Sequence, residues 1–348
     1  MNLRETITTL SNLHGMSGFE YRIAPCVAEM FTDIGCDTQI DAMGSVIALL
    51  KCGKSGAKRI MFDAHMDEIG LMVSDIDSRG FLKFINIGGV DNRILPGCEV
   101  LVHGAGGDIS GVIGIKPPHI QSEDENKRVV PIDKLVIDIG MDAEAAKNAA
   151  SIGDAVTFAQ AAFEMQSPLA SQDGQLCGKS MDDRAGIAAL LYAAEILAKR
   201  ERDADLYFVC SVQEETHMTG AKTAAHAIDP HAALVVDVTH GITADNSDRA
   251  YAVGSGAVMS VGPNVHPELN RLIRGIAEKL EKTIEIEVDG GSTGTNAWAV
   301  QVAQIGVPTA VLSIPLKYMH SPTEVLDIAD VAAVGDIAAE FAVGAACI

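Results

Sequence analysis

Three short, almost unbroken apolar runs constrain this chain most: Leu206–Val212, Ala233–Asp237 and Thr309–Ile314. A strand with one wet face alternates apolar and polar residues. A run without alternation suits a strand buried on both faces of a sheet. Such strands need helices to cover them. One is legible at Asp183–Lys199, where Ile187, Leu190, Leu191, Ala194 and Leu197 share a stripe. Pro267–Leu280 reads as another. The expected class for this half is α/β, with the sheet covered on both sides.

The N-terminal part completes that body. Residues 3–34 read as helical, with Ile23, Val27, Met30 and Phe31 at helical spacing and a turn signal at Gly15-Met16-Ser17-Gly18. Strand-like segments follow at Ser45–Leu50 and Arg59–Asp63. From about residue 70 to about 166 the texture changes. Short β-like runs at Leu71–Val73, Phe81–Ile87, Glu99–Val102, Val112–Ile115 and Ala155–Phe158 alternate with glycines, as in a small all-β unit. The polar stretch Pro117–Arg128 is expected to be a mobile loop. The chain has 348 residues, more than one core usually serves. The expected organisation is a discontinuous α/β domain, 1–69 and 167–348, interrupted by a β-rich domain at 70–166.

Charge narrows the function. There are 26 Lys and Arg against 47 Asp and Glu, a net charge of −21. Such a surface repels phosphate backbones, so nucleic acid is an unfavoured partner, and it attracts cations. Aromatic residues make up only 4%, so no sugar- or base-stacking groove is advertised. The seven cysteines are odd in number and contain no CxxC pair, which is the usage of a reduced, cytoplasmic protein. No apolar run approaches the roughly 20 residues of a membrane span, and the N-terminus does not read as a signal peptide.

The polar residues at the ends of the apolar runs carry the chemistry. His65, Asp182, Glu215, Asp237 and His320 each sit at or just beyond a strand end, or at a strand-to-helix junction. In open α/β sheets, ligands gather beyond the carboxyl ends of the strands, so five segments are expected to converge there. Imidazole with carboxylate suits zinc or cobalt, with manganese also possible, better than an all-oxygen set would. Five ligands with one carboxylate bridging supply three protein ligands to each of two divalent ions. Adjacent Glu214 and Glu215 divide the labour, one for protons and one for metal. Asp67 lies two residues beyond His65 and projects to the same side, as a carboxylate that orients a ligand imidazole would.

These residues, in this order, resemble the M42 family of dinuclear-metal aminopeptidases. The matching motifs are Gly15-Met-Ser-Gly-Phe-Glu20, His65-Met-Asp-Glu-Ile-Gly70, Gly178-Lys-Ser-Met-Asp-Asp-Arg-Ala-Gly186, Gln213-Glu-Glu215, Val236-Asp-Val-Thr239 and Tyr318-Met-His-Ser-Pro-Thr-Glu324. The resemblance implies a zinc-peptidase-like α/β/α sandwich interrupted by a PDZ-like β domain, short peptide substrates, and homo-oligomers, commonly dodecamers. Carried over by position, it implies one metal on His65 and Asp237, the other on Glu215 and His320, and Asp182 between them. Glu214 would be the general base and Asp67 the residue beside His65.

Two positions depart from the pattern. Relatives often read Val-Gly-(x)2-Gly-Ala after the glutamates, whereas this chain has Thr216-His217-Met218-Thr219-Gly220-Ala221. His217 is close enough in sequence to reach the pocket. Relatives carry Gly-Thr-Asp-Ala where this chain has Gly294-Thr295-Asn296-Ala297. If position 296 lines the pocket, a negative charge is missing from it. Other readings are a related dinuclear amide hydrolase acting on N-acyl amino acids, and a non-catalytic scaffold of the same fold.

Overall fold

Alternation along the central strands sets the architecture. In β3 (Lys58–His65), Ile60, Phe62 and Ala64 join one core while Met61 joins another on the opposite face. The two cores are the two faces of one eight-stranded sheet, each covered by helices. The computed structural model describes residues 1–123, 127–167, 170–246 and 248–347.

The first strands are β1 (Asp37–Ile40), β2 (Val46–Leu50) and β3. Next come β4 (Gly70–Ile76), β5 (Leu82–Ile87), β6 (Glu99–Gly104), β7 (Gly107–Gly114), β8 (Val136–Asp138) and β9 (Ala155–Phe158). These six close into a barrel in the order β4-β5-β8-β7-β6-β9, around a core that includes Leu71, Leu82, Val100 and Ile137. Full closure leaves no exposed sheet edge. Of the stretch 117–128, the described part includes a single turn of 3-10 helix at Pro118–Ile120, and residues 124–126 lie outside the described residues.

The chain then forms β10 (Phe163–Met165) and β11 (Gln175–Gly178), which pair with β17 (Glu324–Asp327) as a small antiparallel sheet. The main sheet resumes with β12 (Ala204–Ser211), β13 (Ala232–His240), β14 (Ala257–Val261), β15 (Ile284–Val288) and β16 (Thr309–Leu316). Its order is β1-β2-β12-β3-β13-β16-β14-β15. The neighbours β12, β3, β13 and β16 are mutually parallel. Three of them, β12, β13 and β16, carry the apolar runs, and the common direction of all four brings their carboxyl ends to one edge of the sheet.

One face carries the larger core. The helices Leu3–Asn12, Ala24–Ile34, Met181–Ala198, Pro267–Lys279 and Ile328–Ala345 supply residues to it. Phe62 stacks on Phe208 at 5.1 Å between ring centres, and Phe31 on Phe208 at 5.7 Å. The other face is covered by Thr219–Ile228 and the short helix Ala297–Val300. By strand parity His65, Asp237, Thr239 and Ser313 all belong to this second face. Among the described residues no helix is long and apolar enough to cross a membrane.

Candidate metal and active site

His65 ends β3, and Asp237 lies in β13 three residues before that strand ends at His240. The strand therefore runs past the point where its apolar run stops. Both side chains are buried. Asp182 comes from the start of the helix Met181–Ala198, where its own backbone is still non-helical. Its carboxylate is the hub. Oδ1 lies 3.0 Å from His65 Nε2, and Oδ2 lies 3.2 Å from His320 Nε2. His320 Nε2 is also 3.3 Å from Glu215 Oε2. Donor atoms of His65, Asp182 and Asp237 lie within 4.8 Å of one another, and so do those of Asp182, Glu215 and His320. The structure thus brings all five sequence-picked residues into two triads that share Asp182.

Three further carboxylates hold the loops. Asp67 accepts from the backbone N–H of Glu214 at 3.0 Å and of Glu215 at 3.1 Å. It therefore fixes the turn Glu214–His217, and its charge sits at that turn's amino end. Its carboxylate lies 3.6 Å from His65 Nδ1, while its backbone carbonyl accepts from that nitrogen at 3.1 Å. Glu20, in the first motif, accepts from Gln213 N and Gly18 N, both at 2.9 Å. Glu324 accepts from Asp182 N at 3.2 Å and His320 N at 2.8 Å. β17 puts it opposite Gly178 of β11, four residues before Asp182. One buried carboxylate thus ties two loops of the site together.

Those loops need tying. Ser180, Gln213, Tyr318 and His320 have φ of 49°, 59°, 58° and 62°. Left-handed backbone at a non-glycine residue costs about 1–2 kcal/mol and persists only where surrounding bonds over-determine it. Gln213 and His320 are two of the residues whose N–H groups Glu20 and Glu324 hold.

The barrel also reaches the site. A side chain at Gly89, in the loop after β5, would stand 2.6 Å from His320 Nδ1, so only glycine fits there. The same nitrogen lies 3.3 Å from the Gly89 carbonyl oxygen. The pair Gly88-Gly89 reads in sequence as a plain turn, and close approach is its further reason.

Crowding dominates the electrostatics. Burial, and then the charge of Asp182 against the pull of His65, raise Asp237 to about 7 and push Glu215 well above the usual carboxylate range. Burial raises Glu214 to about 8; His65 opposes this, and Asp237 and Asp182 add to it. Asp182 goes the other way: burial opposes its charge, but hydrogen bonds from His320 and His65 outweigh it. Burial likewise opposes a charge on His65, yet its bonds to Asp182 and Asp67 hold it well above the ordinary value. So many buried like charges lack a counter-charge of their own. Two divalent cations would provide it, and the N/O donor set fits them.

The two departures land differently. His217 is exposed at the end of its short turn, and the cavity wall is formed by its neighbours Thr216 and Met218. Asn296 is buried beneath the site and does not line the cavity, whereas Thr295 does. Its side-chain N–H donates to Asp63 at 2.7 Å and to Ser211 at 2.9 Å. An aspartate there would set two buried carboxylates against each other, which explains the neutral amide in a chain that carries Asp63. Glu20 and Glu324 belong to the recognised motifs, but their task is not readable from sequence, because it is directed at backbone N–H groups distant in the chain.

The model of the family described as M42 glutamyl aminopeptidase matches residues 44–337. The chain belongs to that family. A lysyl aminopeptidase of Pyrococcus furiosus is 35% identical over 322 residues, covering 91% of this chain and 90% of that protein. An aminopeptidase structure from Desulfurococcus kamchatkensis superposes with a TM-score of 0.89 at 34% identity, covering 98% and 94%. The TET1 peptidase of Pyrococcus horikoshii gives 0.84 at 33% identity, covering 98% and 99%. The chain is a peptide hydrolase of the M42 type, with a mixed α/β fold like these aminopeptidases.

Proposed function

We propose that this chain is a metal-dependent aminopeptidase that releases N-terminal residues from short peptides. The observation that carries it is the pair of donor triads joined at Asp182. His65 and Asp237 would hold one divalent ion and Glu215 and His320 the second, with Asp182 shared. Zinc or cobalt suits the set best, and manganese is a further candidate. Bound there, the ions would make a water more acidic and draw charge from a carbonyl oxygen.

The protein's own groups do the rest. Glu214 lines the same cavity, of about 470 Å³, as these ligands. Its carboxylate would take the proton of the attacking water as the new C–O bond forms, and return it to the amide nitrogen as the C–N bond breaks. Its place in the cavity wall beside the donor triads serves both steps. Asp67 fixes where Glu214 points through the backbone bond, and also touches His65, so it is a positioning residue. The barrel spanning β4 to β9 is read as the body of the inserted domain expected at residues 70–166, with β10 inside those bounds pairing outside the barrel; its Gly88-Gly89 loop closes one side of the site. The seven free cysteines favour a reducing, cytoplasmic compartment.

The test is Glu214→Gln with metal analysis. Activity on aminoacyl anilides should fall about 10³-fold while metal content stays near wild type. Full turnover by the variant removes the assignment. The horikoshii peptidase assembles into a tetrahedron or an octahedral shell. A homo-oligomer, a dodecamer first of all, is therefore proposed here too, and light scattering of the purified chain would check it.

A further inference from the structure

The cavity holds one carboxylate that neither the donor triads nor Glu214 accounts for. Glu287 of β15 lines it, beside Thr239, Ser260 and Ser313. By strand parity it belongs to the same sheet face as Asp237, although β15 is the last strand of the sheet. Thr239 Oγ1 donates to Glu287 Oε1 at 2.9 Å, so the glutamate reaches back towards β13. Thr239 stands two residues beyond Asp237 on one strand, a separation of about 7 Å.

The balance of charges singles it out. Two divalent ions would offset Asp182, Glu215, Asp237 and the adjacent Glu214, while Asp67 is already engaged by His65 and two backbone N–H groups. Glu287 would remain uncompensated. The titratable groups facing it are Asp289, His240 and Tyr251, and no described lysine or arginine forms an ion pair with it. It is half-buried, where a charge is costly unless something pairs with it.

We infer that Glu287 is the specificity-determining carboxylate for the substrate's first side chain, and that it selects lysine and arginine. This rests on the aminopeptidase reading. The scissile bond must lie beside Glu214 and the triads. The side chain of the N-terminal residue then projects along the cavity from that end. A lysine or arginine side chain directed along that wall would bring its cation to the Glu287 carboxylate, and the Ser and Thr hydroxyls there would accept its remaining hydrogens. A glutamyl side chain would meet a like charge.

The test uses the full-length, metal-loaded enzyme with lysyl, arginyl, leucyl and glutamyl anilides. Expected in the wild type is a kcat/KM for lysyl above leucyl, with glutamyl lowest. In Glu287→Gln, which keeps the shape and the Thr239 contact, the lysyl-to-leucyl ratio should fall about 10- to 100-fold, mainly through KM. Glu287→Lys should move the preference towards glutamyl. Calorimetry with lysinamide and leucinamide reads the same preference as binding. A wild type that prefers leucyl or glutamyl, or a Gln variant with an unchanged ratio, overturns the assignment and leaves the aminopeptidase reading intact. No cleavage of any anilide takes down both.

Discussion

The two donor triads are not equivalent. His65 and Asp237 are carried by adjacent parallel strands and are buried, with the His65 side chain only 2% exposed. Glu215 and His320 are carried by loops, and the His320 side chain is 33% exposed. The strand-borne half is fixed mainly by the sheet, through the pairings His65 with Ser211 and Asp237 with Ser313, with Asp67 holding the His65 ring. The loop-borne half is held by Glu20, Asp67 and Glu324, by Gly89 from the barrel, and against left-handed backbone at Gln213 and His320. Precision in this site comes from the sheet on one side and from buried carboxylates on the other.

The sharpest break of that comparison is Asp182→Asn, because Asp182 serves both halves. Metal content should fall at both positions, with affinity down more than about 100-fold. Asp237→Asn should lose only one ion. Metal analysis after dialysis separates them, and equal losses would mean that the triads do not share a ligand.

Next is Asn296→Asp. It would bring a second carboxylate to within about 3 Å of Asp63, itself raised to about 7 by burial. Thermal or urea unfolding at pH 8 should show a loss of about 3 kcal/mol. The loss should shrink towards pH 5, where protons can occupy the pair.

Glu324→Gln removes one of the two acceptors that hold Asp182 and His320. A tenfold or greater loss of metal affinity is expected, larger at the loop-borne position than at the strand-borne one. A uniform loss at both positions, or none, would erase the distinction between the halves.

The smallest effect is in pH. With metal stripped, Asp237 has a folded pKa of about 7 against 3.8 in the unfolded chain. Its contribution to stability is then present below pH 3.8 and is lost as pH rises towards 7, since the folded state binds more protons there. Glu215 and Glu214 shift the same way. Bound metal reverses the cost. The rise in Tm on adding zinc should therefore grow from pH 5 to pH 8, and zinc binding should release protons. A rise in Tm that is flat or falls with pH contradicts this.

Elements with strong local signals are legible in the sequence. The parallel strands β3, β12, β13 and β16, the helix at 181–198 and most strands of the barrel fall close to where periodicity puts them. The long helix Ile328–Ala345 gives no such signal. Its alanines and valines are apolar nearly all round, and a helix buried on most sides shows little periodicity. The strands β14, β15 and β17 escape sequence reading too. β15 alternates Ile and Glu in only five residues, and β17 is four residues long.

Sequence by itself determined the residue types, their placement beyond apolar runs, and hence the family, the sheet and the five candidate donors. These are local properties, set by side-chain chemistry and strand parity. The shared place of Asp182 was already implied by the family resemblance; tertiary structure alone decided that Glu20, Asp67 and Glu324 accept from distant backbone N–H groups, and that Asn296 lies under the cavity while Glu287 lines it. Those facts depend on which strands become neighbours. Partners in space lie far apart in the chain, 233 residues in the case of Asp63 and Asn296, and no local pattern encodes such a pairing.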